Sequence, residues 1–356
     1  MISIAKPSIG KEESMAVMRV LESGALASGK VVEEFEAALA ARLGFRHAVA
    51  VSSGTAGLHI ALAALGVKAG DEVAVPDFSF IATASSCVFA GATPVFCGVD
   101  WKTFNISPDS LGNAFSASTR AVMPVSLYGL PYDVGQVLGL AREKGVPVIS
   151  DNCQAVGAEH CGKTNFGEDA SVLSFYPTKN ITTGEGGAVL TDRDDVAEKA
   201  RLLRSHGMKS RYEYAMLGYN YRMTNIAAAI GLEQLKKLDS FNAARRRNAA
   251  MLDDLLSGVR GLELPFEPPN FKHVYHQYTV KAERRDQLQK FLEEKGIASV
   301  VYYPRPLHEI SVLPGRDVGC YGTLQLAKSV LSLPVHPALS EGEVHEVADA
   351  VRAFYA

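Results

Sequence analysis

Three short stretches carry residue types that could do chemistry. In SFYPTKNITTGEGGAVL (174–190) a single lysine, Lys179, follows an apolar run that reads as a buried strand. It precedes a glycine cluster, Gly184, Gly186 and Gly187, that reads as a tight turn. A lysine withdrawn from water at a strand end loses proton affinity and becomes a nucleophile toward a carbonyl. Ser174, on the strand side, offers a hydroxyl to the same place. In VPVISDNCQAVGA (146–158) Asp151 closes a second buried strand, where α/β folds gather ligands. A carboxylate there calls for a cationic partner such as a protonated ring nitrogen, and Gln154 nearby can both donate and accept. In VAVSSGTAGLHIAL (49–62) a strand, a Ser-Ser-Gly-Thr turn and a helix start follow one another. Free N–H groups and the positive end of the helix dipole then meet at Gly54 and Thr55, with the Ser53 hydroxyl beside them.

Taken alone, each stretch has an ordinary reading: Lys179 as a loop lysine, Asp151 and Ser53 as helix caps. The turn at Gly54 is neither a GK[ST] phosphate loop nor a GxGxxG fingerprint. In this chain order, though, an anion cradle, a strand-end carboxylate and a strand-end lysine are the parts that pyridoxal phosphate requires. They supply a phosphate site, a partner for the pyridine nitrogen and a Schiff-base lysine. PDFSFIATAS (76–85) adds Phe80, an aromatic placed after a strand that could lie against a flat ring; its ordinary reading is a core side chain.

The elements that must position these groups are legible as short apolar runs: HAVAVSS (47–53), DEVAVP (71–76), TPVFCGV (93–99), RAVMPVS (120–126), VPVISD (146–151), SVLSFY (171–176) and GAVLTD (187–192). Most are rich in valine and bounded by Gly, Pro, Asp or Ser, as strands buried on both faces are. Helical patterns such as TAGLHIALAALG (55–66) and YDVGQVLGLAREKG (132–145) lie between them, which predicts a doubly wound α/β unit. From about residue 222 the character changes. A long helical region, 225–259, is expected to break near Asp239 and Ser240, and LPFEPPNF (264–271) forms a proline-rich joint. A strand (276–282), a helix (284–296), a strand (298–304) and a closing helix (341–355) predict a smaller α+β unit. The expected domains are 1–235 and 236–356.

Composition narrows the function classes. The chain has 356 residues, 47% hydrophobic and 21% charged, with a net charge of −3. The one notable basic cluster, Arg245 to Arg247, reads as a solvated helix face, so neither nucleic acid nor an anionic membrane is expected as a partner. Five cysteines without a CxxC pair argue against a disulfide framework and against a structural zinc site. No apolar run is long enough to span a bilayer and the N-terminus lacks a secretory pattern, so a cytoplasmic setting is expected.

With these motifs in hand, the chain resembles the DegT-type family of PLP-dependent sugar aminotransferases, from SGALASG (23–29) to LPVHPALSEGEV (333–344). The match is carried by SSGTAGLHIAL, DNCQAVGA, SFYPTKNITTGEGG and GYNYRMTNIAAAIGLEQL. The resemblance implies the aspartate aminotransferase (type I) fold, with a mostly parallel seven-stranded sheet flanked by helices. It implies pyridoxal 5′-phosphate bound through Lys179, with Asp151 on the ring nitrogen, Phe80 on the ring, Gln154 near the phenolic oxygen, and Gly54, Thr55 and Ser174 on the phosphate. Asn220 would reach the neighbouring subunit's phosphate in a homodimer with shared active sites. VVYYPRPLH (300–308) resembles the family's substrate-facing segment, with Tyr303 and His308 as its candidates. The implied reaction moves an amino group from an amino acid, glutamate by analogy, to a nucleotide-linked ketosugar; Gln154 leans toward members that aminate C3. A cyclitol or aminobenzoate-type member, a sugar dehydratase (disfavoured because Lys179 is present) and a non-catalytic binding protein are the alternatives. Two departures from the family pattern, Ser150 before the aspartate and Asn152–Cys153 after it, are expected to leave the chemistry untouched, with Cys153 a small buried filler.

Overall fold

A computed structural model describes residues 1–356. The seven expected strands all form: β1 His47–Val51, β2 Glu72–Pro76, β3 Thr93–Cys97, β4 Thr119–Val122, β5 Ile149–Asp151, β6 Ala170–Ser174 and β7 Gly187–Thr191. The C-terminal part adds β8 Leu262–Glu263, β9 Tyr278–Ala282, β10 Arg316–Val318 and β11 Val330–Leu333. The helices are α1 Lys11–Ser23, α2 Lys30–Leu43, α3 Gly54–Ala64, α4 Ala82–Phe89, α5 Pro108–Ala114, α6 Val134–Lys144, α7 Asp194–Arg204, α8 Asn225–Leu256, α9 Arg285–Glu294, α10 Thr323–Ser329 and α11 Glu341–Tyr355. None of them is long and apolar enough to cross a membrane.

The main sheet runs β1-β7-β6-β5 and then β4-β2-β3-β10, its halves joined by parallel bridges from Val122 to Val148 and from Val125 to Asp151. Only β7 runs against the rest. The strands are apolar throughout because alternate side chains enter different cores. On β1, Val49 and Val51 point to the face covered by α3, α4 and α7, whereas Ala48 and Ala50 point to the face covered by α2 and α8. On β2, Val73 and Val75 share the first core and Ala74 turns toward α5 and α6. Gly57 lets α3 lie close against the sheet, since a Cβ there would stand 2.7 Å from Val172 Cγ1.

Three features correct the sequence expectations. An eighth strand, β10, arrives from the C-terminal third and pairs parallel with β3, so the sheet borrows from beyond residue 235. α8 is one helix of 32 residues; Ser240 turns its hydroxyl onto the Lys237 carbonyl at 2.8 Å and the helix runs on. The segment 298–304 is irregular, pairing with β11 only through the Val300–Ser332 bridge. A smaller core gathers β9, β11, α9, α11, the end of α8 and the N-terminal Ile2. We propose that 1–235 and 236–356 form two domains joined rigidly by α8, whose Ala228, Leu235 and Leu238 serve one core and Ala249, Leu252 and Leu256 the other.

α1 docks on α8 through Glu13, which is buried and accepts from Gly10 N–H (2.8 Å), Gln234 Nε2 (2.8 Å) and Lys237 Nζ (2.7 Å). Burial opposes its charge, but these three donors outweigh it and bring the carboxyl from 4.5 down to about 2. The stabilisation is therefore present above the unfolded value near 4.5 and lost as pH falls toward 2. Glu13→Gln should lower stability by about 2 kcal/mol at pH 7, and denaturant melts at successive pH values should show the gap closing between pH 4.5 and 2.

Candidate active site

A cavity of about 450 Å³ opens where β1, β5 and β6 end. Gly54, Thr55, Phe80, Asp151, Gln154, Ser174, Lys179 and Tyr303, singled out from widely separated stretches, all line it. His308 and Asn220 do not. A second cleft of about 560 Å³, between Trp101 and Lys328, holds none of these residues, and four of its charges pair with one another, Lys281 with Glu263 and Arg285 with Asp286.

Asp151 ends β5 in the middle of the sheet. Its backbone is held by Pro124 O and Ser126 N–H on one side, and Val172 of β6 lies opposite in register on the other. The carboxylate is buried, and its oxygens accept from Thr83 Oγ1 at 2.8 Å and Cys153 N–H at 3.2 Å. Both donors are neutral, so the charge keeps its demand for a cation. Thr83 is itself held by Ser79 Oγ at 2.8 Å. Gln154 is oriented by Tyr128 N–H, which donates to its Oε1 at 2.9 Å, and its Nε2 donates to Tyr303 Oη at 3.0 Å.

The helix-cap reading of Ser53 holds: its hydroxyl accepts from Ala56 N–H at 3.1 Å. That cap leaves the N–H groups of Gly54 and Thr55, in the first turn of α3, without intrahelical partners. Gly54 is required there because a Cβ would stand 2.9 Å from both Cys153 Sγ and Ser174 Cβ. Cys153 is thus more than a small buried filler. It is half-buried, lines the cavity, and its thiol is pushed well above its ordinary pKa by burial first, with the Asp151 charge adding to the effect.

Lys179 follows β6 within an irregular loop. Burial moves its amine below the ordinary lysine pKa, opposed by Cys153 and Asp151. Phe80 is 52% exposed at the cavity mouth, which rules out the core-aromatic reading, and its ring centroid lies 6.0 Å from that of Tyr303.

The structure also adds residues that sequence reasoning missed. Tyr176, Thr178, Glu185, His276, Gln277 and Tyr302 line the cavity. Tyr176 and Glu185 flank motifs already in view and were within reach. His276 and Gln277 precede an unremarkable strand and have no local signal. His276 is held neutral, pushed well below its usual range by burial and then by the Lys179 and Arg245 charges, and Arg245 donates to its carbonyl at 3.2 Å. His308, expected to face substrate, instead pairs with buried Asp77, Nδ1 to Oδ2 at 2.7 Å. Asn220 is exposed and makes a backbone bridge to Ser205, clear of its own chain's cavity.

Comparison with known proteins agrees with this geometry. The profile of the DegT/DnrJ/EryC1/StrS aminotransferase family matches residues 7–352. A pleiotropic regulatory protein of Geobacillus stearothermophilus is 40% identical over 97% of this chain and 95% of its own length. GDP-perosamine synthase of Caulobacter vibrioides is 38% identical over 98% of this chain and 97% of its own. The crystal structure of S. venezuelae DesV superposes with a TM-score of 0.92 at 37% identity, covering 97% of this chain and 94% of that one. The chain belongs to the DegT/DnrJ/EryC1/StrS aminotransferase family.

Proposed function

We propose that this protein is a pyridoxal-phosphate-dependent aminotransferase that carries an amino group from glutamate to a keto group on a nucleotide-linked sugar. The observation that carries the reading is the meeting of Lys179, Asp151 and the free N–H end of α3 in one cavity. The name of the Caulobacter relative, a GDP-perosamine synthase, supports the substrate class. A purely regulatory role, as the Geobacillus relative's name has it, would not require these groups together.

The residues present fit the cofactor. The cradle closed by Gly54, where a Cβ has no room, takes the phosphate with Thr55 and Ser174, and the cation-seeking Asp151 takes the pyridine nitrogen. Phe80 at the mouth would meet the ring, Gln154 has a second amide hydrogen that would serve the phenolic oxygen, and Lys179 would make the covalent link. When bound, pyridoxal phosphate supplies an electron sink for the charge left on the donor's α-carbon when its proton departs. Lys179 Nζ would take that proton and return one after transfer, a role favoured by the burial that moves its amine below the ordinary lysine range. Asp151 keeps the ring-nitrogen position cationic. Tyr303, whose oxygen already accepts from Gln154, keeps its own proton free to donate to the acceptor sugar.

Two tests address the cofactor groups. Borohydride reduction and peptide mapping should place the cofactor label on Lys179, and Lys179→Ala should abolish amino transfer from glutamate; label on another lysine overturns the assignment. Gly54→Ala should weaken pyridoxal phosphate binding to the apoprotein by about tenfold or more in calorimetric titration, because the added methyl displaces Ser174 or Cys153.

The active sites are read as shared across a homodimer. The apolar start of α8 does not argue for this, because its Ala228, Ala229 and Leu235 are covered within the same chain. The support comes from the stretch before Asn220, where Tyr212, Tyr214 and Leu217 are 73%, 61% and 95% exposed, an apolar surface suited to a second copy. Mixing Lys179→Ala chains with chains inactivated at Asn220 should restore activity, since one site of the mixed dimer keeps both its own Lys179 and an intact partner Asn220. Confirmed heterodimers without recovered activity would refute the shared site.

A further inference from the structure

The four residues after β2 touch almost everything that matters in the cavity. Ser79 braces Thr83, which donates to Asp151, and Phe80 stands at the mouth. Phe78, fully buried, meets Tyr303 edge-on at 6.3 Å and 75°. Asp77 faces the other way. Its carboxylate accepts from the His308 N–H at 2.9 Å and meets the His308 imidazole at 2.7 Å, and its carbonyl accepts from Leu307 N–H at 2.8 Å. Three bonds thus fasten residues 307–308 to the end of β2. At the other end of the same segment, the Tyr302 carbonyl accepts from the Tyr128 hydroxyl. Tyr303 lies between the two fastenings.

Cys320 also approaches Asp77 and His308, with the three ligand-type atoms within 4.8 Å of one another. That spacing could suggest a metal centre, but each group is already engaged: the carboxylate with His308, and the thiol on the Phe96 carbonyl at 3.3 Å. The trio serves to hold chain, and what it holds is the segment bearing Tyr303.

We propose that the Asp77–His308 pair is a positioning device for the Tyr303 hydroxyl, and through it for the acceptor sugar. The pair lies outside the cavity and touches no reactant. It sets where the 302–308 segment sits, and so whether Tyr303 Oη meets Gln154 Nε2 at 3.0 Å with its proton turned to the acceptor. Lys179, the phosphate cradle and the Asp151 backbone are held by β1, β5, β6 and α3, and the Asp151 carboxylate is braced through Ser79 and Thr83 without His308, so loss of His308 leaves the glutamate half of the reaction in place. The inference rests on the reading of Tyr303 as acceptor-facing.

The test separates the two half-reactions. His308→Ala should lower kcat/KM for the acceptor sugar by about tenfold or more, the scale on which small misplacements act. The single-turnover rate with glutamate should stay within about threefold, and His308→Gln, which keeps a side-chain donor, should recover part of the loss. Combined with Tyr303→Phe, the loss should be far from additive, because both changes act on one hydroxyl. Additive losses, or equal falls in both half-reactions, overturn the proposal. A crystal structure of His308→Ala, or of Asp77→Asn if that variant folds better, decides the geometry whatever the substrate proves to be. Loss of the Gln154–Tyr303 bond supports the positioning role, and its persistence at 3.0 Å refutes it. Absence of any glutamate or sugar turnover in the unaltered protein would instead fault the proposed function, while the state of the Gln154–Tyr303 bond in the variant crystal would still decide the positioning role.

Discussion

The burial of the Asp151 carboxylate is the constraint around which the rest of the site is arranged. Its backbone is locked on both sides in the middle of the sheet, so the side chain can neither withdraw nor reach water freely. Removing a carboxylate from water costs several kcal/mol unless charge and hydrogen bonds compensate. Thr83 and Cys153 N–H supply the hydrogen bonds and leave the charge. A cavity that presents such a group at its floor, with a lysine in its wall and free N–H groups along its edge, is shaped for a guest that is cationic in one place and anionic in another.

The end of β2 then ties this floor to the roof. Through Ser79 and Thr83 it supports Asp151, through Phe78 and Phe80 it contacts Tyr303, and through Asp77 it grips His308. The C-terminal third is therefore tied back into the larger unit. It returns to the sheet as β10 beside β3, and Leu307 and Cys320 join the core formed by α3 and α4. The continuous α8 and this return link the cavity's two sides, as groups that must meet a ligand within fractions of an ångström require.

The sequence made the sheet and its cargo readable because they share one rule. Strands buried on both faces are apolar throughout, and in a parallel sheet the residue just past such a run stands at the ligand-binding edge. Asp151, Gly54 and Ser174 each fall at such a place, and Lys179 a few residues beyond. What escaped lacked that periodic signal. β10 is three residues, two of them charged, so no apolar pattern marks it. The helix break expected at Asp239–Ser240 rested on local propensity, which packing across two cores overrides. His308 had the right neighbourhood in sequence, but its partner Asp77 is 231 residues away, and only the fold reveals the pair.

The electrostatics of Lys179 show why cofactor binding and nucleophilicity belong together. Desolvation is the main influence lowering its proton affinity, opposed first by Cys153 and then by the Asp151 charge. An unpaired Asp151 therefore partly undoes what burial achieves at the lysine. A cation that paired with the carboxylate would weaken its pull on the lysine proton. Arg245 stands behind the same wall and acts on His276. It is buried, its Nη1 rests on the carbonyls of Tyr275 and His276, and with Lys179 it helps keep His276 uncharged. The buried amine and the buried carboxylate thus act on each other within one cavity, so whatever cation pairs with Asp151 also bears on Lys179.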